Sequence, residues 1–212
     1  MRKQIKVVSF DVEGTMVTTD FSHAIWFEMI PQRYAARYGL EPSQAIEKVK
    51  QEYNNIGDQH LEWYDVQYWF TRFDLGQADI AMEELQHKVR YYPETREVLK
   101  NLGREYQLSV ASGSPRQFLK HLLSGIDHHF NTIFSSTSDF NNVKTADFYI
   151  KMCHQLNVQP EQVVHVGDNF QFDYSEPRSI GIQSCYLDRE GRSGKPGALR
   201  NLTQLVELLD GR

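Results

Sequence analysis

The chain has 212 residues, 28 acidic against 23 basic, for a net charge of −5, and 12% of them are aromatic. That length accommodates one large domain, or a domain with an insert, around a real core, and the aromatic content excludes a disordered chain. The acidic balance and scattered Lys and Arg argue against a nucleic-acid binder, no apolar run is long enough to span a membrane, and Cys153 and Cys185 have neither metal-type spacing nor a disulfide pattern. Both cysteines are expected to be unpaired and buried. The basic start at Arg2, Lys3 and Lys6 leads into no adequate apolar h-region, so a cytoplasmic protein is expected.

Ile5, Val7, Val8 and Phe10 form an apolar run that reads as a buried parallel strand. From Ser22 to Tyr92 the spacing is helical. One helix carries Ile25 to Tyr38 and ends at Gly39, a second opens at Pro42, an aromatic-rich third spans 61–73, and a fourth carries Ile80 to Val89. Pro93 suits the first turn of the next helix, which Gly103 closes. Strands then alternate with helices. Strands are expected at 107–111, 132–135, 163–166 and 183–187, and helices at 115–123, 146–156, 174–180 and 202–209. The pattern predicts an α/β fold: a Rossmann-like parallel sheet with helices on both faces, plus an inserted all-helical unit. The expected division is 1–15 with 93–212 as the core and 16–92 as the insert.

Four strand ends carry usable polar groups. Asp11 and Glu13 stand two apart, so in extended chain they project to one side, where open α/β sheets bind ligands. Two close carboxylates can split into an ionised nucleophile or metal ligand and a protonated acid. Ser112-Gly113-Ser114-Pro115 reads as a helix N-terminus able to hold an anion, with Ser114 as N-cap, Pro115 as the first helical residue and Gln117 completing a capping box. Lys144, before a Thr145 expected to cap the next helix, offers a point charge for phosphate. Asp168 and Asp173 follow the strand ending at Gly167; carboxylates there suit Mg²⁺, and Asp173 is also a candidate helix cap. His165 reads as a satisfied strand residue and His128-His129 as a polar loop. Asp20, Phe21, His23, Trp26, Trp63, Tyr64 and Trp69 could face the site, but their helical spacing favours packing inside the insert.

These motifs, in this order, resemble those of the haloacid dehalogenase superfamily, whose members are mostly Mg²⁺-dependent phosphatases. They are Asp11-x-Glu13-Gly14-Thr15, the serine of Val110-Ala111-Ser112-Gly113-Ser114, Lys144, and Gly167-Asp168 with Asp173. The resemblance covers the whole chain, and the insert looks like the family's helical cap. It implies hydrolysis of a small phosphorylated metabolite, with Asp11 as nucleophile and Glu13 as general acid and base. Ser112, Gly113 and Lys144 would hold the phosphoryl oxygens. Mg²⁺ would bind the Asp11 carboxylate, the Glu13 carbonyl and Asp168, with Asp173 steadying the metal's waters or Lys144. Two positions depart from the usual pattern: glutamate replaces aspartate at 13, and Thr145 stands where many relatives carry proline. The Asp-x-Glu-Gly-Thr opening also resembles enolase-phosphatases of methionine salvage. Two further readings compete: a 2-haloacid dehalogenase, which typically carries tyrosine at the position of Glu13, and a catalytically silent binding protein. The sequence sets no oligomeric state.

Overall fold

The computed structural model describes residues 5–57 and 60–211; Arg2 and Lys3 of the basic start lie outside them. Five parallel strands form one sheet: β1 (Val7–Phe10), β2 (Gln107–Ser112), β3 (Thr132–Ser135), β4 (Val163–Gly167) and β5 (Gln183–Tyr186), in the order β3-β2-β1-β4-β5. All four residues of β1 and all five of β4 are buried, as both-face coverage of a parallel sheet requires. Val8 and Phe10 pack into one apolar cluster and Val7 into another, so each face of the sheet has its own core.

The register sets the site. Phe10 pairs with Val110 on one side and with Val166 on the other. Asp11, Ser112 and Asp168 therefore leave neighbouring strands at the same carboxyl edge. The chain steps outward from β1 to β2 and β3, then crosses back to β4 and β5, so β1 and β4 flank the point where strand order reverses. Open α/β sheets present a crevice there.

Between β1 and β2 the chain is helical. Asp20–Tyr38 is one run whose middle, Ala24–Met29, is wound as a π-helix, and Gly39 ends it in a left-handed conformation at φ 63°. Pro42–Ile56 follows, burying Ala45, Val49 and Tyr53 at four-residue spacing. The expected third helix is shorter than 61–73. Asp65 accepts from the N–H groups of Gln67 and Tyr68 and starts the helix at Val66, leaving Leu61–Trp63 as a separate 3₁₀ turn. Ala78–Glu84 is the fourth helix, with Gln86–Lys88 as a further 3₁₀ turn. The two chain segments that join this helical stretch to the sheet run side by side: Thr18 N–H donates to Arg90 O at 2.8 Å and Tyr92 N–H to Met16 O at 3.1 Å.

Candidate active site

Asp11, Lys144, Asp168 and Asp173 converge at the carboxyl edge. Lys144, 5% exposed, donates to Asp11 Oδ1 at 2.7 Å and to Asp173 Oδ1. Carboxylate oxygens of Asp11, Asp168 and Asp173 lie within 4.8 Å of one another, a spacing able to hold a metal ion. Two glycines permit the approach. A β-carbon on Gly14, whose φ is +72°, would strike the Asp168 carboxylate, and one on Gly167 would strike that of Asp173.

Asp173 is the most tied of the three. Its Oδ2 accepts from Asn169 N–H at 2.9 Å, while Oδ1 faces Lys144, His165 Nε2 at 3.2 Å and the Tyr149 hydroxyl at 3.5 Å. It is not a helix cap. Asn169 takes that place, accepting from Gln171 and Phe172, so the helical turn begins at Phe170 rather than Tyr174. His165 is satisfied, as its strand position suggests: with the proton assigned to Nε2 it donates to Asp173 and faces Ser9 Oγ at 3.1 Å through Nδ1.

The electrostatics follow from three carboxylates around one lysine. Burial pushes the Asp11 carboxyl well above its ordinary value; Lys144 pulls it down, but Asp173 and Asp168 add to the rise. Asp168 is pushed up to about 6, by desolvation and then by Asp173, although it stays open to water in the pocket. Burial also opposes charge on Asp173, yet Lys144 and His165 outweigh it and hold that carboxyl below its ordinary range. Burial would lower Lys144, and the Asp11 and Asp173 carboxylates reverse this and raise it. The chemistry of the cluster, hard oxygens with an excess of negative charge, suits a divalent cation.

Glu13 stands outside this cluster. Its Oε2 accepts from Ser114 Oγ at 3.0 Å, and its Oε1 is buried without a hydrogen-bond partner among the described residues. Burial raises its pKa, with Ser22 and Ser114 pulling the other way. Ser114 therefore anchors Glu13 and does not cap the helix. Pro115 is the N-cap residue, with an extended ψ of 151°, and the helix begins at Arg116. Ser112, 2% exposed, accepts from Ser114 N–H at 3.1 Å. Ser135 and Thr137 hold this loop through the carbonyls of Ser114 and Gly113, at 2.9 and 3.0 Å. Thr145 is the N-cap residue of the Ala146–Gln155 helix, but its hydroxyl does no capping: Ala146 N–H goes to Glu176 Oε2 at 2.8 Å, and Thr145 Oγ1 is buried and unpartnered among the described residues.

The cluster forms the floor of a cavity of about 520 Å³. Of the aromatic and polar residues expected to be packed inside the helical insert, Phe21 and Trp69 are, with no exposed surface. His23, Trp26, Trp63 and Tyr64 instead line this cavity, and Asp20 does not. Sequence reading missed Phe118 and Ser136, which line it as well; Ser136 Oγ is buried and unpartnered among the described residues. Neither sits in a motif, and only the fold brings them in.

The comparisons agree with this geometry. The family model described as haloacid dehalogenase-like hydrolase matches residues 5–181. The chain is 25% identical over 186 residues to the GMP/IMP nucleotidase YrfG of Escherichia coli (strain K12), covering 86% of this chain and 82% of that protein. It is 24% identical over 234 residues to a glyceraldehyde 3-phosphate phosphatase of Pyrococcus furiosus, covering 98% and 94%. Among solved structures, a HAD phosphatase from Thermococcus onnurineus superposes with a TM-score of 0.86 at 26% identity, over 98% of this chain and 99% of that one. A 2-haloacid dehalogenase from Pseudomonas syringae pv. Tomato DC3000 shares the fold at a TM-score of 0.72 and 20% identity, over 98% and 99%. The five-stranded parallel sheet, the motif residues gathered at its carboxyl edge and a family match across most of the sequence place the chain among the haloacid dehalogenase-like hydrolases.

Proposed function

We propose that the protein is a Mg²⁺-dependent phosphatase of a small-molecule phosphomonoester, working through an aspartyl phosphate on Asp11. The observation that carries this reading is the floor of the cavity: three carboxylates cluster there and one buried lysine pairs with two of them, so the cluster is one divalent cation short of balance when all three are ionised. The nucleotidase and phosphatase among the relatives support it.

Asp11, Asp168 and the Glu13 carbonyl would hold the cation, with Asp173 keeping Lys144 in place. The bound cation would neutralise charge on the transferring phosphoryl group and keep Asp11 ionised. Asp11 attacks phosphorus as the ester P–O bond breaks, and Glu13 delivers its proton to the departing alkoxide. Glu13, now a carboxylate, takes a proton from water as that water attacks the acyl phosphate. The P–O bond to Asp11 breaks, and phosphate leaves. Ser112, the Gly113 N–H and Lys144 hold the phosphoryl oxygens during both displacements. Residues 16–92 act as a cap over a core formed by 1–15 and 93–212, and they shield the acyl phosphate from bulk water. The unpartnered Glu13 Oε1 supports its role as acid, and it disfavours a dehalogenase, whose halide needs no proton.

The test is phosphate release from an activated aryl phosphate with Mg²⁺ and with chelator, for wild type and Asp11→Asn. Mg²⁺-dependent release that disappears in Asp11→Asn is the expected result. No release from folded wild type on this ester and on a panel of metabolite phosphates would sink the proposal.

A further inference from the structure

We infer that the cavity selects phosphomonoesters whose alcohol carries a flat, uncharged ring, and that Trp63, seated on Trp26, is the selecting residue. The inference rests on the phosphatase reading above and names its substrate class.

Four aromatic side chains from three parts of the chain form a ladder along one wall. Phe118 belongs to the helix that follows the Ser112–Ser114 loop, and it is 2% exposed. Trp26 stacks parallel to it, with ring centres 5.7 Å apart and planes 7° apart. Trp63 stacks on Trp26 at 6.2 Å and 23°, and Tyr64 meets Trp63 edge-on at 5.0 Å. All four rings line the same cavity as Asp11, Ser112 and Lys144.

Full burial does not account for the ladder. Insert and sheet share one apolar core, against which Trp26 packs and in which Trp69, Phe70 and Phe21 have no exposed surface. Trp26 and Trp63 keep part of their surface open, and both line the cavity. Their backbones are braced from that core: Tyr53 donates to Trp26 O at 3.1 Å and Trp69 Nε1 to Trp63 O at 3.3 Å. Rigid aromatic faces of this kind accept a base or another flat ring by stacking.

The charges narrow the class further. Lys144 is the single lysine or arginine among the described residues that line the cavity, and Asp11 and Asp173 already engage it. A second anionic group on the substrate would meet no further lysine or arginine, while Asp168 and Asp173 would repel it. Nucleoside 5′-monophosphates and simple aryl phosphates both satisfy the requirement. Phosphate esters of hydroxy acids do not.

The experiment compares kcat/KM with Mg²⁺ for inosine 5′-monophosphate, phenyl phosphate, glycerol 3-phosphate and 2-phosphoglycolate, using wild type, Trp63→Ala and Trp63→Phe. The two ring-bearing esters should exceed glycerol 3-phosphate by about tenfold or more, with 2-phosphoglycolate the poorest. Trp63→Ala should lower the ring-bearing esters about tenfold more than glycerol 3-phosphate, and Trp63→Phe should restore most of that difference. The ratio of inosine 5′-monophosphate to phenyl phosphate tells a nucleoside from a bare aryl ring. Turnover of all four at similar rates, or equal losses in Trp63→Ala, would overturn the inference and leave the phosphatase reading standing. No turnover of any of them, or of the aryl ester and metabolite phosphates above, would overturn both.

Discussion

Gly14 lies so close to Asp168 that no side chain fits between them: a β-carbon at 14 would run into the Asp168 carboxylate. The loop after β1 and the loop after β4 are thus fitted to each other at the point where the acidic cluster forms. Gly14 also has a φ of +72°, which side-chain-bearing residues adopt at a cost. Gly14→Ala should therefore lose about 1–3 kcal/mol of stability, read by denaturant unfolding. Adding Asp168→Gly removes the collision and leaves the backbone strain, so the double variant should regain part of the loss. A strictly additive cycle would show that the contact carries no energy.

Asp168 itself should destabilise the metal-free protein. Its carboxyl titrates near 6 in the folded chain, against about 4 for an unperturbed aspartate. The folded state therefore holds a proton that the unfolded state has released between those values. The destabilisation is absent below about pH 4, grows as pH rises, and is complete above about pH 6. Asp168→Asn should melt higher than wild type at pH 7 without metal, by an amount that vanishes on acidification. It should also lose the thermal shift that Mg²⁺ gives wild type. In wild type that shift should weaken below about pH 6, because a proton then competes with the cation.

Lys144 carries the opposite sign. It faces Asp11 and Asp173 in a largely buried position, so removing it strands buried charge. Lys144→Met should cost about 3–5 kcal/mol in urea unfolding at pH 7. Adding Asp173→Asn should recover part of this, since Asp173 then needs no counter-ion. Asp173 is held below its ordinary range, so the stability it draws from Lys144 is present above about pH 4 and lost as pH falls further. The gap between wild type and Lys144→Met should narrow accordingly.

Glu13 and Ser114 give a prediction in rates. If Glu13 protonates the leaving group, Glu13→Gln should lose about 10²–10⁴ in turnover on alkyl phosphates and much less on activated aryl esters. Burial raises the Glu13 pKa and the Ser114 hydrogen bond pulls it down. Ser114→Ala should therefore move the alkaline limb of kcat/KM to higher pH. Equal losses on both ester classes, or an unmoved limb, would remove Glu13 from that role.

Part of this site is legible in the sequence, and the missing part has a physical reason. Asp11, Ser112, Asp168 and Asp173 come after apolar runs and Lys144 comes before a helix signal, so local pattern locates them and a parallel sheet gathers them. Ser114 reads as a helix cap because serine before proline usually is one. The pairing across 101 positions with Glu13 Oε2, which uses its hydroxyl instead, leaves no local trace. The π-wound turns at Ala24–Met29 and Phe170–Ser175 look like ordinary helix in sequence, since the apolar spacing scarcely changes. The cavity wall is the least legible part. Trp26 and Trp69 have the same residue type and both sit in helical patterns, yet one lines the cavity and the other is core. Helix orientation alone decides between them.

Arg189 is a residue with no motif to announce it, and it ties the loop after β1 to the neck of the helical insert. Its guanidinium donates to Gly14 O at 3.2 Å and Thr15 O at 2.5 Å, pairs with Glu94 at 2.9 Å and lies 3.5 Å over the Tyr92 ring. Gly14 and Thr15 follow the Asp11 strand, and Tyr92 and Glu94 close the return segment, so one planar cation spans both. A lysine cannot serve all these partners, because its ammonium is a point charge without the flat fork. Arg189→Ala should cost about 1.5–3 kcal/mol in unfolding. Arg189→Lys should recover little of that. Because the bonds go to backbone carbonyls, the loss should appear as faster amide hydrogen exchange across residues 13–18 and 90–94, and as lower kcat with a smaller effect on KM. Unchanged exchange in both segments would mean that other contacts fix the loop and that Arg189 only decorates it.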